Sequence, residues 1–218
     1  MNKKINNFLF VFIAIFLASC IAPTTQRTKP NEEAVAIEAE KQREIAVKEA
    51  SKSHYRLLRV GGPILKKSLP FCKDRKRKSI GIIYANKFNY DEEFQNIAVS
   101  KLGLGDTLEI TYAIDSYPAA KAGFKAGDVL LSVNGKDIPI GKDASKKFSK
   151  LLKKEMKGNT QLSFQVARNN ITQSLNVVPI EVCDYPLILT NDDVVNAFAD
   201  GNNIFITQGM MDFADSEN

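Results

Sequence analysis

Between Leu108 and Val178 the hydrophobic and polar positions follow short, regular periods. Leu108-Glu109-Ile110-Thr111-Tyr112-Ala113-Ile114 alternates and is rich in β-formers, which predicts a strand. Ser116-Tyr117-Pro118-Ala119-Ala120-Lys121-Ala122-Gly123 sets Pro at a first helical position and Gly at the exit, predicting a one-turn helix. Ala126-Gly127-Asp128 turns into Val129-Leu130-Leu131-Ser132-Val133, a short buried strand, and Asn134-Gly135 is a preferred hairpin pair. An amphipathic helix is expected from about Asp143 to Lys157, with Phe148, Leu151, Leu152 and Met156 on one face. Leu162, Phe164 and Val166, then Leu175 and Val177, alternate on either side of Asn169-Asn170 and predict a closing hairpin.

The flanks follow other patterns. Phe8 to Leu17 is an unbroken apolar run behind a basic Asn2-Lys3-Lys4 start, too short for a permanent membrane span but suited to a signal peptide. Ile21 to Pro30 is polar and aperiodic, a tether. Asn31 has N-cap chemistry, with Glu32 and Glu33 where the helix dipole favours anions. A segment rich in Ala, Glu and Lys runs from there to Val60, with only Ala34, Ile37, Ile45, Leu57 and Leu58 as an apolar stripe. It reads as a stalk, or a strap across another surface, that Gly61-Gly62-Pro63 interrupts; the lone His54 in it reads as solvated. After Cys183, strands are expected at Leu187-Ile188-Leu189, Val194 to Ala199 and Ile204 to Thr207, with a helix starting after Gly209. A hairpin and a helix start bury too little surface to stand alone.

Composition narrows the function. Hydrophobic residues make up 44% and charged residues 25% of the 218, which excludes general disorder and a polytopic membrane protein. One His and three scattered Cys exclude most metal sites, and no phosphate loop or Ser/His/Asp set is present. Lys73 to Lys78 is the strongest charge cluster in a chain of net charge +5. It lacks the interleaved aromatics of a nucleic-acid surface and reads as a solvated loop, with anionic headgroups as the competing contact.

Leu17-Ala18-Ser19-Cys20 resembles the bacterial lipobox, which implies cleavage before Cys20, its lipidation and, with Ile21 following, sorting to the outer membrane facing the periplasm. Export leaves Cys72 and Cys183 as an even pair in an oxidising compartment. Read as a staple, they close a loop of about 110 residues, worth roughly 4–5 kcal/mol in the chain-entropy account.

Pro118-Ala119-Ala120-Lys121-Ala122-Gly123, running into Gly127-Asp128-Val129-Leu130 and Val133-Asn134-Gly135, resembles a bacterial PDZ domain. The resemblance implies an α+β fold, a partly open β-barrel with two helices. It also implies capture of C-terminal or unfolded peptide segments by strand addition, with a turn of backbone N–H groups holding the terminal carboxylate. Ser79, Ile80, Gly81 and Ile82, followed by Ile83, fit that turn; Leu102-Gly103-Leu104-Gly105 is the rival. Phe148 and Leu152 are expected on the opposite groove wall, together with Ala144 and Leu151.

Asn196-Ala197-Phe198-Ala199-Asp200-Gly201 through Ile206-Thr207-Gln208-Gly209-Met210 is similar to the opening of HtpX-like gluzincin metallopeptidases, in which an H-E-x-x-H helix follows. No residue here matches that motif, so no catalytic residue, metal ligand or cofactor is assigned; zinc is expected only if a catalytic segment lies downstream. The expected organisation is a lipoprotein signal peptide (1–19), tether (20–30), stalk helix (31–69), PDZ-like domain (72–182) and the front of a peptidase-like domain (183–218). Two functions compete: a lipid-anchored peptide-binding module of the cell envelope, or a truncated or split part of a zinc endopeptidase, inactive alone and completed by a separately encoded half.

Overall fold

The computed structural model describes residues 31–214. The expected signal peptide, Cys20 and the expected tether lie outside the described residues, as does the end of the segment expected to be peptidase-like. Helix α1 spans Glu32–Lys67. Asn31 caps it, its Oδ1 accepting from the Glu33 N–H at 3.0 Å. No helix among the described residues is long and apolar enough to cross a membrane.

Gly61-Gly62-Pro63 does not end α1, contrary to the sequence expectation; the helix continues to Lys67. Packing explains the glycines. A Cβ on Gly61 would lie 2.2 Å from Leu187 Cδ1, and one on Gly62 would lie 3.2 Å from Ile114 and 3.3 Å from Tyr117. The Tyr117 hydroxyl donates to the Gly62 carbonyl at 3.1 Å. From Val47 onward α1 is therefore a strap, burying Val47, Leu57 and Leu65.

Strands β1 (Lys76–Ser79), β2 (Ile82–Ala85) and β3 (Glu109–Ala113) follow, with α2 (Glu92–Leu102) between the last two. Then come α3 (Pro118–Lys121), β4 (Val129–Val133), β5 (Lys136–Asp137), α4 (Ala144–Gly158), β6 (Leu162–Arg168), β7 (Ile171–Val177) and β8 (Ile180–Cys183). The largest sheet has the order β2-β3-β4-β6-β7, with β5 beside β4, and β1 pairs with β8 in a second sheet. The architecture is the expected α+β fold, a long helix followed by a PDZ-like sheet with helices, and its sheets are open because β2 ends the main sheet instead of closing onto β7.

The turns follow the sequence chemistry. Asn134 and Gly135 have φ of 50° and 73°, and Asn169 and Asn170 have 50° and 62°, so both hairpin pairs take the left-handed conformation that primed turns require. Asp128 is fully buried in the turn before β4. Arg168 grips its two oxygens at 2.6 and 2.7 Å and also donates to the Gly123 carbonyl. One apolar core, including Leu108, Ile110, Phe124, Phe148, Phe164 and Val166, lies between the main sheet and α4.

Lys76–Ser79 is strand rather than the second half of a solvated loop. It pairs antiparallel with Ile180–Cys183 while the side chains of Lys76, Arg77 and Lys78 stay exposed. Cys72 and Cys183 form a disulfide beside this pairing, with Cα atoms 5.6 Å apart. Beyond it, β9 (Leu187–Thr190), β10 (Ala197–Ala199) and β11 (Ile204–Thr207) form a sheet in the order β10-β11-β9, and α5 spans Gln208–Phe213. The β9–β11 pairing is parallel. This segment leans on α1, where Arg56 donates to the Met211 carbonyl and Gln208 to Ser53.

His54 is half-buried rather than fully solvated. It lines a cavity of about 550 Å³ among Val47, Tyr55, Ile83, Tyr90 and Thr190, and burial pushes its imidazole below the ordinary value of 6.5.

Candidate functional site

The site grows from the short connection between β1 and β2. Gly81 has φ +80°, and a Cβ there would lie 2.2 Å from Tyr117 Cβ, so only Gly fits against that ring. The carbonyls on either side of this turn are anchored inward. Ala119 N–H donates to the Ile80 carbonyl and Ile114 N–H to the Gly81 carbonyl, each at 2.9 Å. A trans peptide sets its N–H opposite its C=O, so the Ile82 amide is aimed away from the fold, while the Gly81 amide is taken up by Ser79. An outward amide at such a turn offers a donor to an anion. The Gly81 N–H rests on Ser79 Oγ at 3.2 Å, which leaves the Ser79 hydroxyl proton free to serve as a further donor.

Directly after this turn, β2 is the edge strand of the main sheet, pairing only with β3 among the described strands. Strand alternation then sorts its side chains. Ile82 and Tyr84 face a cavity of about 510 Å³ bounded on its other side by α4, whereas Ile83 and Ala85 face the cavity under α1. The α4 wall comprises Ser149, Leu152, Lys153, Met156 and Lys157. Tyr84 meets Phe148 edge-on, ring centroids 4.7 Å apart, and burial pushes its phenol above the ordinary value while Ser149 hydrogen-bonds it.

Of the residues singled out from the sequence, Ser79, Ile80, Gly81, Ile82 and Leu152 line this one cavity. Phe148 is fully buried in the core instead and touches the site only through Tyr84. The Ile83 side chain lies on the opposite face of β2. Ala144 is also fully buried, and Leu151 packs at the margin of the core. The rival turn has another job. Gly103 caps α2 in a left-handed conformation, and the Leu104 N–H that follows donates to the Ala98 carbonyl at 3.0 Å.

Sequence reasoning missed Tyr84, Ser149, Met156 as a groove residue, and the strand β1 that brings Lys76 to Lys78 to the rim. Met156 was visible on the apolar face of α4 and Tyr84 directly follows the turn. The approach of β1 carried no local signal, because it depends on pairing with β8, about a hundred residues away. Glu155, also on α4, is buried but engaged elsewhere. Lys136 bonds it at 2.5 Å and Asn134 at 2.9 Å, which holds its carboxyl below the ordinary value. Among the described residues, no group of three or more His, Cys, Asp or Glu is placed to hold a metal ion.

No curated protein matches the sequence. Among solved structures, the chain is similar to the HtrA3 PDZ domain bound to a phage-derived ligand, FGRWV, at 18% identity and a TM-score of 0.37, over 49% of this chain and 89% of that one. It is similar to the HtrA-type protease AlgW with a decapeptide at 22% identity and a TM-score of 0.35, over 48% of this chain but only 29% of that protease. The PDZ domain of EpsC from Vibrio cholerae aligns at 14% identity and a TM-score of 0.29, over 45% of this chain and 94% of the domain. Residues 96–178 match the family model described as PDZ domain, a stretch that holds β3, β4, α4, β6 and β7. With β1 and β2 preceding that match, the chain carries a PDZ domain.

Proposed function

We propose that the protein binds the C-terminal ends of peptides in the groove between β2 and α4. The observation that carries this reading is the β1–β2 turn. Its carbonyls are anchored inward, its Ile82 amide faces outward beside the Ser79 hydroxyl, and an open strand edge follows at once. An extended peptide adds to the β2 edge, its carboxylate accepts from the turn, and its last side chain enters the apolar floor of Ile80, Ile82, Leu152 and Met156. Titrating the protein with a fluorescent peptide ending in an apolar residue tests this. The free-acid form should bind at least about tenfold more tightly than the C-terminal amide, since charge-assisted hydrogen bonds are lost. Equal affinity of acid and amide would refute carboxylate capture.

We further propose that the chain works at the bacterial cell envelope, held to the membrane by lipid on Cys20 and facing the periplasm. The lipobox-like Leu17-Ala18-Ser19-Cys20 and the Cys72–Cys183 disulfide support this reading. Labelled palmitate should enter the wild type and not Cys20→Ala; equal labelling would reject the anchor. A second reading places the groove in the service of a zinc metallopeptidase-like partner or segment. It rests on residues 196–210, whose hairpin and helix start follow the order that the HtpX-like resemblance implies. This reading expects no chelator-sensitive cleavage of casein by this chain alone, and such cleavage would contradict it.

A further inference from the structure

The groove is far more basic than the chain as a whole. Five cationic side chains line it, Lys76, Arg77, Lys78, Lys153 and Lys157, against two anionic ones, Glu181 and Asp184, so its local charge is 5 − 2 = +3. The whole 218-residue chain carries only +5. Arg77 is paired with Asp184 at 3.4 Å, and Lys78 sits opposite Glu181 in the β1–β8 register. Lys76, Lys153 and Lys157 have no ion-pair partner among the described residues.

Their placement is not scattered. Lys153 and Lys157 are one turn apart on α4, beside Leu152 and Met156, while Lys76 and Lys78 approach on the strand that leads into the carboxylate turn. The single acid of α4, Glu155, is buried and held by Lys136 and Asn134, so it neutralises none of the rim. The apolar floor thus sits inside a cationic collar at the end of the groove where a peptide would terminate. One α-carboxylate accounts for one negative charge, and a collar of this size fits more.

We infer that the groove selects peptides whose last four residues carry acidic side chains in addition to an apolar terminal residue. This rests on the peptide-binding reading given above and adds the ligand class to it. An extended ligand rising 3.2–3.4 Å per residue covers about 10 Å over its last four residues, about one Debye length at 0.1 M salt, so charges there act on the groove as a whole. The alternative source of negative charge is an anionic membrane surface. The apolar floor favours a peptide terminus with an apolar last side chain, because a headgroup would leave that floor unused.

Two fluorescent octapeptides with the same apolar last residue test the inference, one with Asp and Glu at the three preceding positions and one with Asn and Gln. At about 50 mM salt the acidic peptide should bind about tenfold more tightly, and at about 500 mM the ratio should fall below about threefold. In the double variant Lys153→Gln, Lys157→Gln, both exposed lysines, the ratio at low salt should drop to about threefold or less. Relative to the wild type, the acidic peptide should lose at least about threefold more affinity than the neutral one. Equal binding of both peptides to the wild type would overturn the charge selectivity while leaving the groove reading in place. Binding of neither would overturn both. Capture by phosphatidylglycerol vesicles that the acidic peptide does not displace would assign the collar to the membrane and overturn the inference.

Discussion

The PDZ region and the segment after Cys183 are built from similar short strands, yet they hold themselves together by different means. In the first, β3, β4 and β6 enclose a core in which Leu108, Phe148, Leu162, Phe164 and Val166 are fully buried. In the second, β10 is exposed along its length, Phe198 stacks on Phe205 in partial exposure, and Phe213 is 77% exposed. That segment depends on outside ties: Met211 and Gln208 against α1, Leu187 in the notch at Gly61, Arg75 to the Gly201 and Asn202 carbonyls, and the disulfide. Strand content alone therefore does not make a domain; the number of faces covered does.

The comparison breaks most sharply at single side chains. Phe164→Ala should cost about 3–5 kcal/mol in urea unfolding, and Phe198→Ala well under 1, since only the first opens a cavity in a closed core. Comparable losses would mean that the two regions share one core. Arg168→Ala belongs with the large effects. It strands the buried Asp128 carboxylate without its partner, at a cost of about 3–5 kcal/mol.

Removing the disulfide comes next. Cys72→Ser with Cys183→Ser should lose about 2–4 kcal/mol. Hydrogen exchange should rise in residues 187–207 more than in β6 and β7, because the staple sits where the PDZ region hands over to the tail. Uniform exchange across both regions would show that the tail does not lean on it.

The smallest effect is with pH. Burial holds the His54 imidazole below its ordinary value of 6.5, so its contribution to stability is complete above that value and is lost as pH falls through the lower folded value. The cavity around it also contains Asp91, Tyr55 and Tyr90, with Leu189, Thr190 and Gln208 from the tail. Between pH 7.5 and 5.5 exchange in β9 and α5 should increase modestly in the wild type and stay flat in His54→Gln. An unchanged profile in the wild type would place His54 outside the tie.

Local chemistry made most of the PDZ region legible in the sequence. The Pro118 entry, the Asn134-Gly135 and Asn169-Asn170 turns and the amphipathic α4 each follow from a few adjacent residues. Helix α2 was missed although Asp91-Glu92-Glu93 precedes Phe94, Ile97 and Ala98 and Gly103 closes it, an ordinary capped pattern. What the sequence hid was long-range. Gly61-Gly62 looks like a break until Leu187 and Tyr117 fill the space that a Cβ would need. Lys76 to Lys78 looks like a loop until β8 pairs with it, and Phe148 looks available to a ligand until Tyr84 covers it.

The central claim is that a peptide carboxylate is held by the turn at Gly81 and the chain beside it by the edge of β2. Backbone amide chemical shifts during titration with an apolar-ended free-acid peptide read this position by position. The account predicts the largest shifts at residues 80–85 and along the α4 face of Ser149, Leu152 and Met156, with residues 102–105 unmoved. Shifts centred on Gly103 and Gly105, with the β1–β2 turn silent, would contradict it.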